Sequence, residues 1–338
     1  MNKIIKTLVL GIPALVAGNI SVRAEEPEVK WPEASKITST EKTDYKNLFE
    51  AYVRLDGEAG KEKSQLLGTA ELMIKPGRFR AAIGGQGNLE RDNYDEGDQD
   101  VKGGRGAGRV GFYLFADKEG QLYIEANGGF EKTNITLDDV TVDTSLPFAG
   151  ARVGVAYQPT GTKVELNGSA GQGTYDAEIF NNSLDGKLTR FYISAKARQR
   201  VWKEGDKTIL EESFGNSEET GAEKSINVEA SAYHQIDKYA DLLTATTTGA
   251  KIGAFYEHDG RDSQGNGLIF RLGPEFEAKW GRSRVDGGDS SNSDVYTARL
   301  KAELEVNSWV RFYVGAGAEK TRDGVGPELK GGIVLRFK

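Results

Sequence analysis

The chain ends in Glu328-Leu-Lys-Gly-Gly-Ile-Val-Leu-Arg-Phe-Lys338, and the reading of this stretch decides the fold. Leu329, Gly331, Ile333, Leu335 and Phe337 fall on one side of a period-2 pattern, and Glu328, Lys330, Arg336 and Lys338 on the other. Successive side chains of a strand point to opposite faces, so this is a strand with one face free of charge.

The same pattern runs back to Phe49. Fourteen segments carry it, at approximately 48–55, 65–75, 78–87, 108–116, 121–131, 148–157, 162–171, 188–202, 225–236, 247–258, 267–280, 294–306, 309–319 and 328–338. Most match the length of a tilted strand crossing a bilayer, about 9–11 residues, and exceed the five or six typical of soluble proteins. One face of each lacks Asp, Glu, Lys and Arg, as in Leu122/Ile124/Ala126/Gly128/Phe130. Its only strongly polar members are Gln199, His234 and His258, near segment ends. A charge facing lipid at the midplane costs about 2–4 kcal/mol, so these clean faces point to a demanding environment.

The closing strand resembles the last strand of bacterial outer-membrane β-barrels, which ends in an aromatic residue after alternating apolar ones. Here Phe337 is penultimate and Lys338 follows it. The resemblance implies a barrel in outer-membrane lipid, delivered to the barrel-assembly machinery through that strand. Alternation alone fits a soluble sandwich equally well. Lipid outside is favoured because the clean faces are rich in Ala and Gly, which fill a large interior badly. A closed sheet of about fourteen strands is also expected to be too wide for its side chains to fill, leaving the inside wet or plugged.

Turns give an independent signal. Pro76-Gly77, Lys118-Glu119-Gly120, Thr160-Gly161 and Asn307-Ser308 all follow even-numbered segments. Matching clean faces sets Ile74 against Phe79, Asp117 against Gln121, Tyr157 against Val164, and Glu303 against Arg311. Most long connections (88–107, 132–147, 172–187, 281–293) follow odd segments. The fold class is therefore all-β: a transmembrane antiparallel β-barrel with long extracellular loops, short periplasmic turns and both termini in the periplasm. Lys203–Lys224, long but after an even segment, and Pro274, inside a strand, fit less well.

Composition agrees. The 338 residues include 43 glycines and no cysteine, and mean hydropathy is −0.51. No apolar run reaches the roughly 20 residues of a spanning helix, whereas barrel strands average out as polar. Thiolate metal sites and disulfides are excluded. Residues 1–24 read as a secretory signal, with Lys3 and Lys6, the apolar core 7–18, and Val22-Arg-Ala24 as the exit. Without Lys3, Lys6 and Arg23 the net charge of −7 becomes −10, so nucleic acid is not an expected partner. Residues 25–47, with Pro27, Pro32 and Trp31, read as a periplasmic tail preceding the barrel at 48–338.

The strongest chemical constellation is a basic ladder. Arg190, Lys196, Arg198 and Arg200 share the polar face of the eighth segment, with Tyr192 and Ser194 between them. Arg78, Arg80, Arg109 and Arg152 are expected to point into the same lumen. Such a ladder offers anionic solutes successive weak sites. Equally, it can serve as an internal salt-bridge lattice with inward acids such as Glu71, Glu125 and Glu165, Arg198 facing Glu229. The two roles are compatible.

Other signals are weaker. Asp92, Asp95, Glu96, Asp98 and Asp100 form an acidic loop able to gather Ca²⁺ or Mg²⁺. Its spacing is not that of an EF-hand, and a solvated loop is expected, with no metal or cofactor assigned. Gly103-Gly-Arg-Gly-Ala-Gly108 reads as a flexible loop, since it lacks the strand-to-helix setting and Lys-Ser/Thr ending of a phosphate cradle. A barrel hydrolase would use His234 with Tyr233 and Asp237 or Asp241, because His258 lies at the opposite end. Aromatics near segment ends (Tyr157, Trp202, Tyr256, Trp280, Tyr296, Trp309 and Phe337) suit the membrane interface. The functional expectation is a porin-like channel passing small polar, anionic-leaning solutes, with no bond made or broken. Its alternatives are a surface adhesin, receptor or structural barrel, and the hydrolase.

Overall fold

The computed structural model describes residues 49–337, except 60–62, 75–77, 95–96, 117–119, 138–139, 158–159, 180–181, 204–222, 241–242, 261–266, 286–289, 307–308 and 322–323. The signal segment, the tail and all of the long Lys203–Lys224 connection except its ends lie outside the described residues. Fourteen strands form one closed antiparallel barrel in which each pairs with its sequence neighbours and β1 closes on β14. They are β1 (Phe49–Ala59), β2 (Lys63–Ile74), β3 (Phe79–Tyr94), β4 (Gly97–Ala116), β5 (Gly120–Leu137), β6 (Val140–Tyr157) and β7 (Thr162–Ile179). The others are β8 (Asn182–Lys203), β9 (Glu223–Tyr239), β10 (Leu243–Asp259), β11 (Leu268–Val285), β12 (Ser290–Val306), β13 (Val310–Thr321) and β14 (Gly324–Phe337). The closing strand pairs on both edges, Val53 with Leu335 and Phe312 with Ile333.

The clean faces point outward. Leu72, Ile83, Val110, Ile124, Val153, Leu166, Ile193, Ile252, Phe276, Leu300, Val314 and Leu329 are exposed and form a continuous apolar band. All seven rim aromatics anticipated from the sequence are exposed as well. A belt of amphipathic rings and aliphatic side chains around a closed sheet is the surface that a bilayer requires. Pro274 stays within β11 opposite Leu300 and points outward. Among the described residues no helix is long and apolar enough to cross a membrane.

Three expectations need correction. First, the anticipated long loops are strand. The described parts of 88–107, 132–147, 172–187 and 281–293 extend the hairpins β3–β4, β5–β6, β7–β8 and β11–β12, and Gly103–Gly108 lies inside β4. Strands near the seam, β1, β2 and β13, have 11, 12 and 12 residues, but β4 has 20 and β8 has 22. About ten suffice to span, so β3–β12 rise well beyond the band at the end opposite Phe49 and Phe337. We call this the tall end.

Second, several hairpin registers differ by two residues. Ile74 faces Ala81, Tyr157 faces Thr162, and Arg311 faces Glu305 rather than Glu303. After β4, a register shift between Tyr113 and Phe115 places Ala116 against Gln121. A slip of two keeps every side chain on its face, so facial patterning cannot exclude it. The left-handed turn glycine is Gly161, with φ +62°.

Third, much of the interior is filled by its own side chains. Arg80, Tyr123, Gln121, Glu125, Phe255, Leu146 and Leu188 are buried although they face inward. Rings lie over glycines of the next strand: Tyr123 over Gly154, Tyr175 over Gly186 and Tyr233 over Gly249. A glycine leaves no Cβ, so a large ring from the adjacent strand can lie flat against the wall.

Candidate functional site: the charged lumen and its apolar cap

Within the band, the inner wall is a lattice of arginines and carboxylates. Arg80 contacts Glu125 at 2.9 Å, and its guanidinium lies over the Tyr123 ring. Arg152 reaches Glu125 at 3.5 Å and Glu165 at 3.7 Å, while the Tyr123 hydroxyl donates to Glu165 at 2.7 Å. Arg109 pairs with Glu71. On the opposite wall Arg299 holds Glu275 at 2.7 Å together with Glu277 and Glu328, and Arg271 bridges Glu229, Glu257 and Glu303. Several of these pairs skip a strand, as inward side chains on a curved wall converge. A buried guanidinium needs such carboxylates, because an unpaired buried charge is strongly unfavourable.

The ladder on β8 divides along its length. Arg190 is buried and clamped: its Nε donates to Asp237 at 2.6 Å, and its Nη1 donates to Glu131 on β5, three strands away. Below it Lys196 stands in register with Glu165, and Arg198 lies 3.7 Å from Glu229 and 2.9 Å from Glu257. Arg200 is in register with Asn227, its Cβ beneath the Gly161 turn. These last three are half-buried. The Arg198 side chain keeps 25% of its surface accessible, against 1% for Arg299. With Lys163, Lys251, Glu165, Glu229 and Glu257, also half-buried, they line a partly accessible stretch of the inner wall on β7–β10, hereafter the chamber, in which half-buried basic groups outnumber half-buried acidic ones. Tyr192 and Tyr233 stack in its upper wall, centroids 6.3 Å apart.

Arg78 does not join them: it is an exposed turn residue at the end bearing Phe49 and Phe337. The acidic candidates Asp95 and Glu96 lie outside the described residues, as do the side chains of Asp92 and Asp98. Asp100 points outward on β4, 3.8 Å from Arg91. Among the described residues no group of three His, Asp or Glu could hold a metal ion.

Above the Arg190 clamp the wall changes character. Val101, Ile135, Val142, Leu146, Tyr175, Ala177, Leu188, Tyr239, Leu243 and Ala245, from seven consecutive strands, pack into one buried apolar cluster. The Tyr175 and Tyr239 rings meet edge to face at 5.3 Å. Burial, then the Asp237 carboxylate, pushes the Tyr239 phenol well above its ordinary range, so it stays neutral. Here the alternation is inverted. On β6, Val142 and Leu146 face in while Asp143 and Ser145 face out; below, Ala151 and Val153 face out and Arg152 faces in. The tall end is thus built like a water-soluble sheet with its own core, set on a lipid-facing barrel. The sequence reading missed this cap, although the alternation across 140–146 carries its signature.

Both histidines face outward. His234 Nδ1 and Thr248 Oγ1 lie 2.8 Å apart, near the upper edge of the band.

No family model and no curated protein sequence matches the chain. Several solved structures are similar to it at low identity. OmpT of Vibrio cholerae is 12% identical, with 86% of this chain and 97% of that chain covered and a TM-score of 0.38. The transport unit of the autotransporter AIDA-I from Escherichia coli is 10% identical (90% and 95% covered, TM-score 0.42). The CymD monoaromatic hydrocarbon channel is 10% identical (85% and 87% covered, TM-score 0.43). The expectation that no bond is made or broken is withdrawn: a closed barrel of this kind does not by itself exclude a hydrolase beside a channel and an adhesin.

Proposed function

We propose that this protein is an outer-membrane channel through which small polar solutes pass, anions ahead of cations, by way of the chamber on β7–β10. The observation that carries the reading is the division of the β8 ladder. Arg198 and its neighbours keep contact with water, while similar arginines elsewhere are locked away. A wet wall with surplus positive charge raises the local concentration of anions and gives them successive weak sites. The tall end faces outward from the cell, because outer-membrane barrels keep their short turns and termini in the periplasm. The N-terminal segment directs export, and β14, with Phe337 exposed at its end, is the contact for the assembly machinery.

In planar bilayers the folded protein should give step-like currents, with a reversal potential in a salt gradient that favours anions. Arg198→Glu with Arg200→Glu should move that potential toward cation preference without abolishing the steps. An unchanged potential would remove these arginines from the conduction path. A second reading, a surface adhesin or receptor anchored by the barrel, is supported by the strand-paired hairpins of the tall end, which extend beyond the band. It predicts that cells displaying the protein bind a host or neighbouring-cell surface, and that shortening β5–β8 above the band abolishes binding.

A further inference from the structure

The outer face of β9–β11 carries a feature that the lumen does not explain. The lipid-facing band ends on the rung Ile193–His234–Thr248–Trp280–Asp294, where Asp294 on β12 is the one outward acid beside Trp280 among the residues of this rung. There Trp280 Nε1 lies 3.3 Å from the Tyr296 hydroxyl, with the rings edge to face at 6.4 Å. The next rung upward is Ile236–Thr246–Arg282–Asn292, and the one above is Thr189–Lys238–Thr244–Arg284–Ser290. Lys238, Arg282 and Arg284 all point outward and are exposed. Among the described residues none of the three forms an ion pair, and no acid faces outward on β9–β11 above the belt. The neighbouring arc differs: there Lys132 and Lys187 mix with Asp143, Asp176, Glu178 and Asp185.

We infer that Lys238, Arg282 and Arg284 form a cradle for the phosphorylated headgroup of a glycolipid in the outer leaflet, the lipid A class. Successive outward residues of a strand are about 7 Å apart and adjacent strands about 4.8 Å, so the three cations surround an area the size of one phosphorylated sugar. Guanidinium groups match phosphate oxygens in a two-pronged geometry, and the Thr244 and Thr246 hydroxyls add donors between them. Ile236 and Phe191 lie on the Arg282 rung itself, and Trp280 and then Ile252 below it continue the apolar surface on which the acyl chains of the same molecule lie. That continuity selects a lipid over a soluble anion, since the cradle faces away from the lumen. The inference is independent of the channel.

The test is lipid retention by the full-length protein, read by native mass spectrometry after exchange into mild detergent. The probes are bis-phosphorylated lipid A, its dephosphorylated form, phosphatidylglycerol and inorganic phosphate. The native protein should retain lipid A over both other lipids, and millimolar phosphate should not displace it. The triple variant Lys238→Gln/Arg282→Gln/Arg284→Gln should lose roughly tenfold or more in apparent affinity, the scale of one charge-assisted contact. Lys132→Gln on the neighbouring arc should change nothing. Arg284→Gln alone, expected to show a partial loss, serves if the triple variant does not reach the folded, heat-modifiable form. Equal retention by variants and native protein, or of dephosphorylated lipid, overturns the site. Equal retention of phosphatidylglycerol, or displacement by phosphate, overturns the assignment to lipid A.

Discussion

At the scale of single residues the decisive construction is the Arg190 clamp. One guanidinium neutralises carboxylates on two other strands, Asp237 on β9 and Glu131 on β5, just beneath the apolar cap. Gln235 supplies a further donor to Asp237 at 2.8 Å. Removing one member of a buried charge group costs about 3–5 kcal/mol, because the partners stay buried and uncompensated. Arg190→Gln should therefore lower the urea midpoint at which the heat-modifiable folded band disappears. Adding Asp237→Asn should restore part of the loss. If the double variant is no more stable than the single one, the clamp is not the source of the effect. The ring-over-glycine contacts make a second residue-scale case. A Cβ at Gly186 would sit 2.6 Å from the Tyr175 hydroxyl and 2.7 Å from its ring. Gly186→Val should destabilise by about 1–3 kcal/mol, the usual range for overpacking. Gly106, with nothing within 4 Å of such a Cβ, should accept Ala at little cost by the same urea titration.

At the scale of the strand, the ruling feature is the inversion of alternation where β4–β10 leave the band. On β7, Leu166 faces outward within the band and Gln172 faces outward above it, three outward positions later. An arginine facing lipid near the midplane costs about 2–4 kcal/mol, and one near the interface or beyond costs close to nothing. Leu166→Arg should thus weaken folding into lipid vesicles by that amount, and Gln172→Arg should leave the urea midpoint almost unchanged. Equal penalties would mean that the lipid band reaches higher than the inversion. The inversion also explains what the sequence disclosed and what it hid. The lower halves of the strands were legible because a long face without charge is rare. The upper halves passed for loops because Gly103–Gly108 and 172–187 are rich in Gly, Thr, Asn and Asp, and because their apolar residues fall on the opposite phase. The alternation of Val140, Val142, Thr144 and Leu146 with Thr141, Asp143 and Ser145 was present throughout, but a search tied to one phase passes over it. Of the lumen contacts, Arg198 against Glu229 follows from pairing neighbouring strands. Arg190 to Glu131 and Arg299 to Glu328 skip strands, so they depend on the curvature of the closed wall, which no local pattern encodes.

At the scale of the whole molecule, the barrel stacks two media along one axis: a charged chamber in the band and a dry apolar layer above it. Leu188 and Leu146 sit in that layer with almost no access to water. The cap draws on strands β4–β10, which places it over the chamber on β7–β10. A hydrated ion does not cross a packed hydrocarbon layer cheaply, since its charge must either shed water or part the side chains. In the channel reading the cap therefore sets the conductance, and the native protein should show small, intermittent steps. Leu188→Asp places a charge that must hydrate within the layer, at a stability cost on the order of 2–5 kcal/mol. That cost loosens the cap and leaves the lipid-facing band untouched, so the variant should still insert. Its open steps should be several-fold larger than those of the native barrel, and still anion-selective because Arg198 and Arg200 are intact. Large native steps that Leu188→Asp does not alter would show that solute passes along another wall. Absence of current from both proteins, each folded and heat-modifiable, would end the channel reading itself.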